Sequence, residues 1–384
     1  MQFDFMTAGR ILFGSGSLDT GLNSAGQFGK KAFVVTGKSS RRTETLFIRL
    51  NKCDIEFENW AIYGEPDIQS ISRGVEAARN GKCDYVIAFG GGAVLDAGKA
   101  IAAMVSNPGK ILDYLEVVGN GKPIITPPLP IIAIPTTSGT GSEVTRNAVI
   151  SVPENGVKVS LRHSMMLPRL AVIDPELTIS LPADITAFSG MDALTQVIEP
   201  YVSVKANPMT DQFCREGICR AAKWLEKAYT DGNNIEAREG MAFASLMGGL
   251  ALANAGLGAV HGLAGVIGGR FNAPHGAVCA ALIAEVFKMN IVALQQRYPE
   301  STIISRYREI SRILTGDPSA DVDLGYWWLI DLALRMKIPR LGTYGVNRQA
   351  FPEIAQQAKA SSSMKGNPIE LTQLELEQIL ECSM

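Results

Sequence analysis

The chain of 384 residues has three histidines, and two of them, His261 and His275, stand fourteen residues apart in glycine-flanked contexts, GAVHGLAG and NAPHGAV. Asp192, in GMDALTQVIE, stands where a helix is expected to start, and Gln196 follows four residues later on the same face. A divalent metal needs a few nitrogen and oxygen donors and one open position for a substrate oxygen. One carboxylate, two imidazoles and an amide meet that need if these distant segments converge. Spacing alone leaves a purely structural role for a histidine beside glycine equally open.

Two further segments have the composition of anion and sugar binders. DYVIAFGGG (residues 84–92) reads as a buried strand stopped by three glycines, and AVLDAGKA continues as a helix. Glycines at a strand-to-helix turn let the backbone approach a diphosphate, and the helix N-terminus adds unpaired N–H groups and partial positive charge. Gly91, Gly92 and Ala93 lie at that turn. It is not the GxGxxG fingerprint, and a tight turn without a ligand is the plain alternative. PTTSGTGSEV (residues 135–144) also follows a strand; its five hydroxyls, including Thr136, Thr137 and Thr140, and its two glycines suit hydrogen bonding to ribose and phosphate oxygens.

These groups need a frame. KAFVVTG (31–37), IEFENWA (55–61), DYVIAFGGG, PIIAIPTT (130–137) and LAVIDP (170–175) read as strands, with helical patterns at 68–81 and 95–107 between them. Apolar strands spaced by helices predict a parallel sheet covered on both faces. After residue 182 the periodicity becomes helical throughout and β-branched runs become rare. The expected fold is a Rossmann-like α/β dinucleotide-binding domain over residues 1–180, followed by an all-α domain over residues 181–384.

Bulk properties exclude several classes. Apolar residues make up 46% and charged residues 19%, with a net charge of −2, so a large core is expected and no nucleic-acid or membrane-surface partner. Residues 244–260 come nearest to a membrane span, yet their four glycines and one asparagine suit a tightly packed internal helix. The N-terminus lacks the pattern of a signal peptide, and six scattered cysteines without a CxxC pair read as reduced thiols, so a cytoplasmic location is expected.

Taken together, the segments resemble the iron-containing (group III) alcohol dehydrogenase family, which has the dehydroquinate synthase-like fold. GGGAVLDAGKA is similar to the family's GGGSxxDxxK, and PTTSGTGSEVT, IDPELTISLP, GMDALTQVIE, HGLAG, NAPHG and the closing KGNPIELT follow in the family's order. The resemblance implies hydride transfer between a nicotinamide cofactor and a small alcohol, aldehyde or ketone, in a cleft between the two domains, by a homo-oligomer (dimer or larger). It implies that Asp96, Thr136, Thr137, Thr140, Asn147 and Lys158 hold cofactor beside the glycine turn. Asp192, His261 and His275 fall on three of the family's four metal-ligand positions, for Fe2+ or Zn2+.

Departures from the family pattern are informative. Gln196 stands where the second ligand is usually His, and an amide is a weaker donor. Gly265 replaces a second histidine of an HxxxH, removing a proton relay, and Ala93 replaces Ser at the diphosphate turn. After the second strand, Thr36-Gly37-Lys38-Ser39-Ser40-Arg41-Arg42 has no carboxylate for a ribose 2′-OH. Gly37, Ser39 and Ser40 with the adjacent cations suit a 2′-phosphate, so NADP(H) is expected over NAD(H).

The expected chemistry places Asp192, His261 and His275 on a divalent Lewis acid, with Gln196 a weak fourth ligand or an orienting group. Other readings are a metal-independent reductase resembling maleylacetate reductases, a dehydroquinate synthase-like lyase, and a non-catalytic nucleotide binder. His163 reads as a loop or surface residue, Glu199 as a structural hydrogen bonder, Cys279 as a small buried hydrophobe, and Met165, Met166 and Met191 as packing residues.

Overall fold

The computed structural model describes residues 2–38 and 40–384. The chain forms two compact units. One comprises residues 6–137 and 141–180, and the other comprises residues 2–5, 138–140 and 181–384. The tip of the Thr/Ser-rich loop and the N-terminal segment therefore belong with the helical half, which a single boundary near residue 180 does not anticipate.

In chain order the strands are β1 (Ile11–Phe13), β2 (Lys31–Thr36), β3 (Glu56–Ala61), β4 (Tyr85–Gly90), β5 (Ile131–Pro135), β6 (Asn147–Val152), β7 (Val157–Arg162) and β8 (Leu170–Ile173). Six of them build one sheet in the order β1, β8, β5, β4, β2, β3, with every neighbouring pair parallel. Successive residues of a strand point to opposite faces. Phe33 and Val35 therefore join one apolar core, while Ala32 and Val34 join another on the opposite face. That is why these strands read as continuous apolar runs. β3 is the exception: it is an edge strand, half exposed, and its Glu58 accepts from Lys31 on β2 at 2.8 Å.

β1 is only three residues long, too short to show periodicity. The antiparallel pair β6–β7 was not anticipated either, although it carries a period-2 signal. Ala148, Ile150 and Val152 face inward from one strand and Val159 and Leu161 from the other, joined through a turn at Pro153–Asn155.

The chain leaves β2, adds β3 on one side, then returns to place β4 on the other side of β2. Strand addition thus reverses between β2 and β4. In open α/β sheets, ligands bind beyond the carboxyl ends of the strands at such a reversal. The segment from Gly37 leaves one of these two ends, and Gly90–Gly92 leaves the other. A Cβ at Gly37 would sit 3.5 Å from Val94, so the two turns are neighbours.

The helical unit contains helices Ala183–Val202, Pro208–Thr230, Ile235–Ala255, Ala259–Phe271 and His275–Arg297, followed by Thr302–Thr315, Val322–Arg335, Phe351–Ala360 and Gln373–Cys382. Ile235–Ala255 and Ala259–Phe271 meet at a bend of 100° around Gly256, whose φ of 73° lies in the left-handed region that glycine tolerates. Among the described residues one single helix, His275–Arg297, is long and apolar enough to cross a membrane, and the bent pair is a further candidate if taken as one span. Some 78% of the apolar window of His275–Arg297 is buried inside the protein, as expected of a core helix.

Candidate active site

Asp192 is not at a helix start. Its helix begins at Ala183, behind Pro182, so Asp192 lies mid-helix and Gln196 one turn further on, both buried. His261 occupies the first turn of Ala259–Phe271, and His275 opens its own helix behind Pro274. The structure brings these residues together. His261 Nε2 lies 3.3 Å from Asp192 Oδ1, His275 Nε2 lies 3.8 Å from the same oxygen, and the two imidazole centroids are 5.4 Å apart.

Backbone packing explains the convergence. A Cβ at Gly276 would come within 2.3 Å of the Phe188 carbonyl oxygen, so glycine after His275 lets that helix N-terminus rest on the Asp192 helix one turn before the carboxylate. At the start of the His261 helix, Glu199 Oε1 accepts the Val260 N–H at 2.7 Å and Asn367 Oδ1 accepts the Ala259 N–H at 3.1 Å. Those N–H groups have no partner within their own helix. Asn367 also donates to Asn290 Oδ1 and to the Ile369 carbonyl, both at 2.8 Å. The closing NPIELT segment thus fastens the N-terminus that carries His261.

Glu199 uses its other oxygen on the ring, with Oε2 2.6 Å from His261 Nδ1. It is a structural hydrogen bonder, as expected, but for a ligand candidate: it fixes the imidazole so that Nε2 faces Asp192. Burial works against charge on His261, but Glu199 and Asp192 outweigh it and push its pKa up to about 10. Burial also works against charge on Asp192, and the two histidines and Gln196 still hold its carboxyl below the ordinary value. Each pull favours positive charge between these groups.

The donor set fits a divalent ion. Asp192 Oδ1, Gln196 Oε1 and His261 Nε2 are buried and make no hydrogen bond, an expensive condition for polar atoms unless a ligand satisfies them. Cys279, one helical turn after His275, joins the group: one donor atom each from Asp192, His261, His275 and Cys279 lies within 4.8 Å of all the others. Its position four residues after His275 was the available signal, since the two share a helix face. Gly265 has nothing within 4 Å of where a Cβ would stand, so there is room at that position. Gly262 is different, because a Cβ there would meet Met364 at 3.0 Å and Ser361 at 3.1 Å.

In the α/β unit, Gly91 caps helix Gly92–Ser106 without a side-chain hydrogen bond, leaving the turn of Gly91, Gly92 and Ala93 lined by backbone. Thr137 stands against Gly91, with its methyl 3.4 Å from a Cβ placed there, and Thr136 donates its N–H to the Gly90 carbonyl at 2.9 Å. Asp96 is engaged within the protein: Oδ1 accepts from Ser142 Oγ at 2.6 Å and Oδ2 from the Val149 N–H at 3.0 Å. Lys99, fully buried, lies 3.1 Å from Asp96 Oδ1 and donates to the Ser142 carbonyl and Thr145 Oγ1 at 3.0 and 3.1 Å. Asn147 and Lys158 share the face of the β6–β7 hairpin opposite Ala148 and Ile150, and Lys158 pairs with Glu65 at 3.1 Å. Thr140 belongs to the short segment grouped with the helical unit. Ser39 lies outside the described residues, and of Ser40 only its place at the start of helix Ser40–Lys52 is described. His163 is half-buried and accepts the Met165 N–H at 3.3 Å; Met166 and Met191 are core residues.

Comparison with known proteins agrees over nearly the whole chain. Residues 8–175 match the model for iron-containing alcohol dehydrogenases, and residues 186–384 match that for the C-terminal part of the same family. The chain is 37% identical over 320 residues to alcohol dehydrogenase 4 of Schizosaccharomyces pombe, covering 83% of this chain and 73% of that protein. It is 32% identical over 377 residues to 1,3-propanediol dehydrogenase of Klebsiella pneumoniae, covering 96% and 95%. Among solved structures, a 1,3-propanediol oxidoreductase superposes with a TM-score of 0.92 at 31% identity over the full length of both chains. These matches favour neither a metal-independent reductase nor a lyase. The chain belongs to the iron-containing alcohol dehydrogenase family.

Proposed function

We propose that this member is a metal-assisted, NADP(H)-preferring dehydrogenase of a small alcohol or its aldehyde, with Asp192, His261 and His275 as metal ligands. The observation that carries the reading is the convergence of buried donor atoms that form no hydrogen bond, Asp192 Oδ1 and His261 Nε2, which face each other at 3.3 Å, and Gln196 Oε1, at a place that His275 also reaches.

A divalent ion, when bound, supplies Lewis-acid polarisation of the substrate oxygen. The protein supplies the rest. Asp192 brings negative charge to the site, and Glu199 orients His261 by accepting its Nδ1–H. Gly91, Gly92 and Ala93, at the carboxyl end of β4, offer backbone N–H groups to the cofactor diphosphate. Thr136, Thr137 and Thr140 offer hydroxyls to it, and Asn147 and Lys158 complete the set. A nicotinamide cofactor, when bound, would supply hydride exchange with the carbon bearing the substrate oxygen, and the glycine turn and threonines would hold it in place for that exchange. Gly265 has no side chain to relay the proton, which leaves water or the cofactor ribose as the route.

The preference for NADP(H) rests on the segment after β2, where Gly37, Lys38, Ser39, Ser40, Arg41 and Arg42 include no carboxylate. A ribose 2′-OH is usually held there by an acidic side chain, and a 2′-phosphate by hydroxyls and cations. Comparing kcat/KM for the two cofactors tests this, and a clear advantage of NAD(H) rejects it. For the metal, content is measured together with activity in His261→Ala and His275→Ala. Both variants are expected to lose metal and turnover; full activity in both refutes the assignment.

A further inference from the structure

We propose that Cys279 is a ligand of the metal, giving this site one carboxylate, two imidazoles and a thiolate, with a substrate oxygen entering as a fifth donor. The inference rests on the metal reading above and adds to it the donor that replaces the missing imidazole at Gln196.

Two helices each present a pair of residues one turn apart: Asp192 and Gln196 on one, His275 and Cys279 on the other. Cys279 is fully buried, and its Sγ lies 3.6 Å from His275 Nε2. Donors placed about 2.0–2.3 Å from an ion in tetrahedral array stand roughly 3.3–3.8 Å from one another. The separations of His261 from Asp192, His275 from Asp192, and Cys279 from His275 are 3.3, 3.8 and 3.6 Å. Among the described residues no other group of three or more such side chains gathers in this way. Independently of the cysteine, Asp192 Oδ1 and His261 Nε2 are buried, face each other and form no hydrogen bond.

Donor strength favours the sulfur over the amide. A thiolate binds a divalent ion of the zinc or cobalt type more tightly than a neutral amide oxygen does. The S–H bond gives up its proton to solvent as the S–metal bond forms, so atoms and charge balance with no other reactant. A soft thiolate shifts the site toward zinc or cobalt and away from iron(II) or manganese.

The test is titration of cobalt(II) into the full-length, metal-stripped protein, with bound cobalt counted by elemental analysis and the near-ultraviolet thiolate-to-cobalt charge-transfer band recorded. Wild type is expected to bind one equivalent with that band. Cys279→Ser is expected to keep the ion, bind it about tenfold or more weakly, and lose the band; Cys279→Ala, which offers no oxygen in place of sulfur, is expected to lose the band likewise. Cobalt bound by wild type without the band, or a band that survives in both variants, overturns the role of Cys279 and leaves the metal reading standing. No cobalt bound by wild type overturns both.

Discussion

Two buried polar clusters, one in each unit, differ in how their hydrogen-bonding groups are used. In the α/β unit, the Lys99 ammonium meets Asp96, the Ser142 carbonyl and Thr145, one partner for each of its three protons, and Asp96 is met by Ser142 and the Val149 N–H. In the helical unit, Glu199 is engaged by His261 and the Val260 N–H, but the groups in front of it are less well used: Asp192 Oδ1 and His261 Nε2 face each other at 3.3 Å without a hydrogen bond, and Gln196 Oε1 has none. A cluster whose groups are engaged with one another acts first as a scaffold. An unsaturated one, held rigid from behind by a saturated carboxylate, is a receptor for a cation. The same contrast assigns Asp96 and Lys99 the role of fixing helix Gly92–Ser106 to the loop at Ser142 and to β6.

Substitutions sharpen this contrast. The largest effect is expected for His261→Ala, which removes an unsatisfied donor from the receptor: kcat/KM falls by about three orders of magnitude, the several kcal/mol a Lewis acid contributes, with metal lost and the fold retained by circular dichroism. Lys99→Met in the scaffold should do the reverse, lowering unfolding free energy by about 3 kcal/mol in urea titrations without changing metal stoichiometry. If Lys99→Met strips the metal, the two clusters are not separate in role. Glu199→Gln should weaken metal affinity about 10–100-fold, read by competition with a chromophoric chelator, with a smaller loss of turnover at saturating metal.

The smallest effect concerns Glu143, fully buried in the same loop as Ser142. Burial pushes its pKa up from 4.5 to about 7, although Lys99 pulls the other way. The folded state therefore holds a proton that the unfolded chain has released, and stability falls as pH rises between those two values. Glu143→Gln should be more stable than wild type at pH 8, with the gap closing toward pH 4.5 and no change in metal binding or turnover. A gap that widens on acidification reverses the sign.

The sheet was legible because β2, β4, β5 and β8 are covered on both faces and so read as uninterrupted apolar runs. β3, an edge strand, was legible only in part. β1 was not, since pairing with β8 rather than its own pattern holds three residues in place. In the receptor, Asp192, Gln196, His261 and His275 could be named from residue type and family resemblance. Cys279 is buried, as its reading as a small core residue expects, but only the fold shows that Asp192, His261 and His275 surround it. The function of Glu199 was equally hidden, since its ring partner His261 lies 62 residues away in the chain. Asn367 shows the same limit: its motif was recognisable, but its hold on Ala259 depends on a helix end more than a hundred residues distant.

Anomalous diffraction from crystals of the protein grown with zinc probes the receptor most directly. The expected map has one strong peak bounded by Asp192 Oδ1, His261 Nε2 and His275 Nε2, absent from crystals of His261→Ala. A map in which those three atoms enclose no peak at saturating zinc, with side chains ordered, contradicts the assignment.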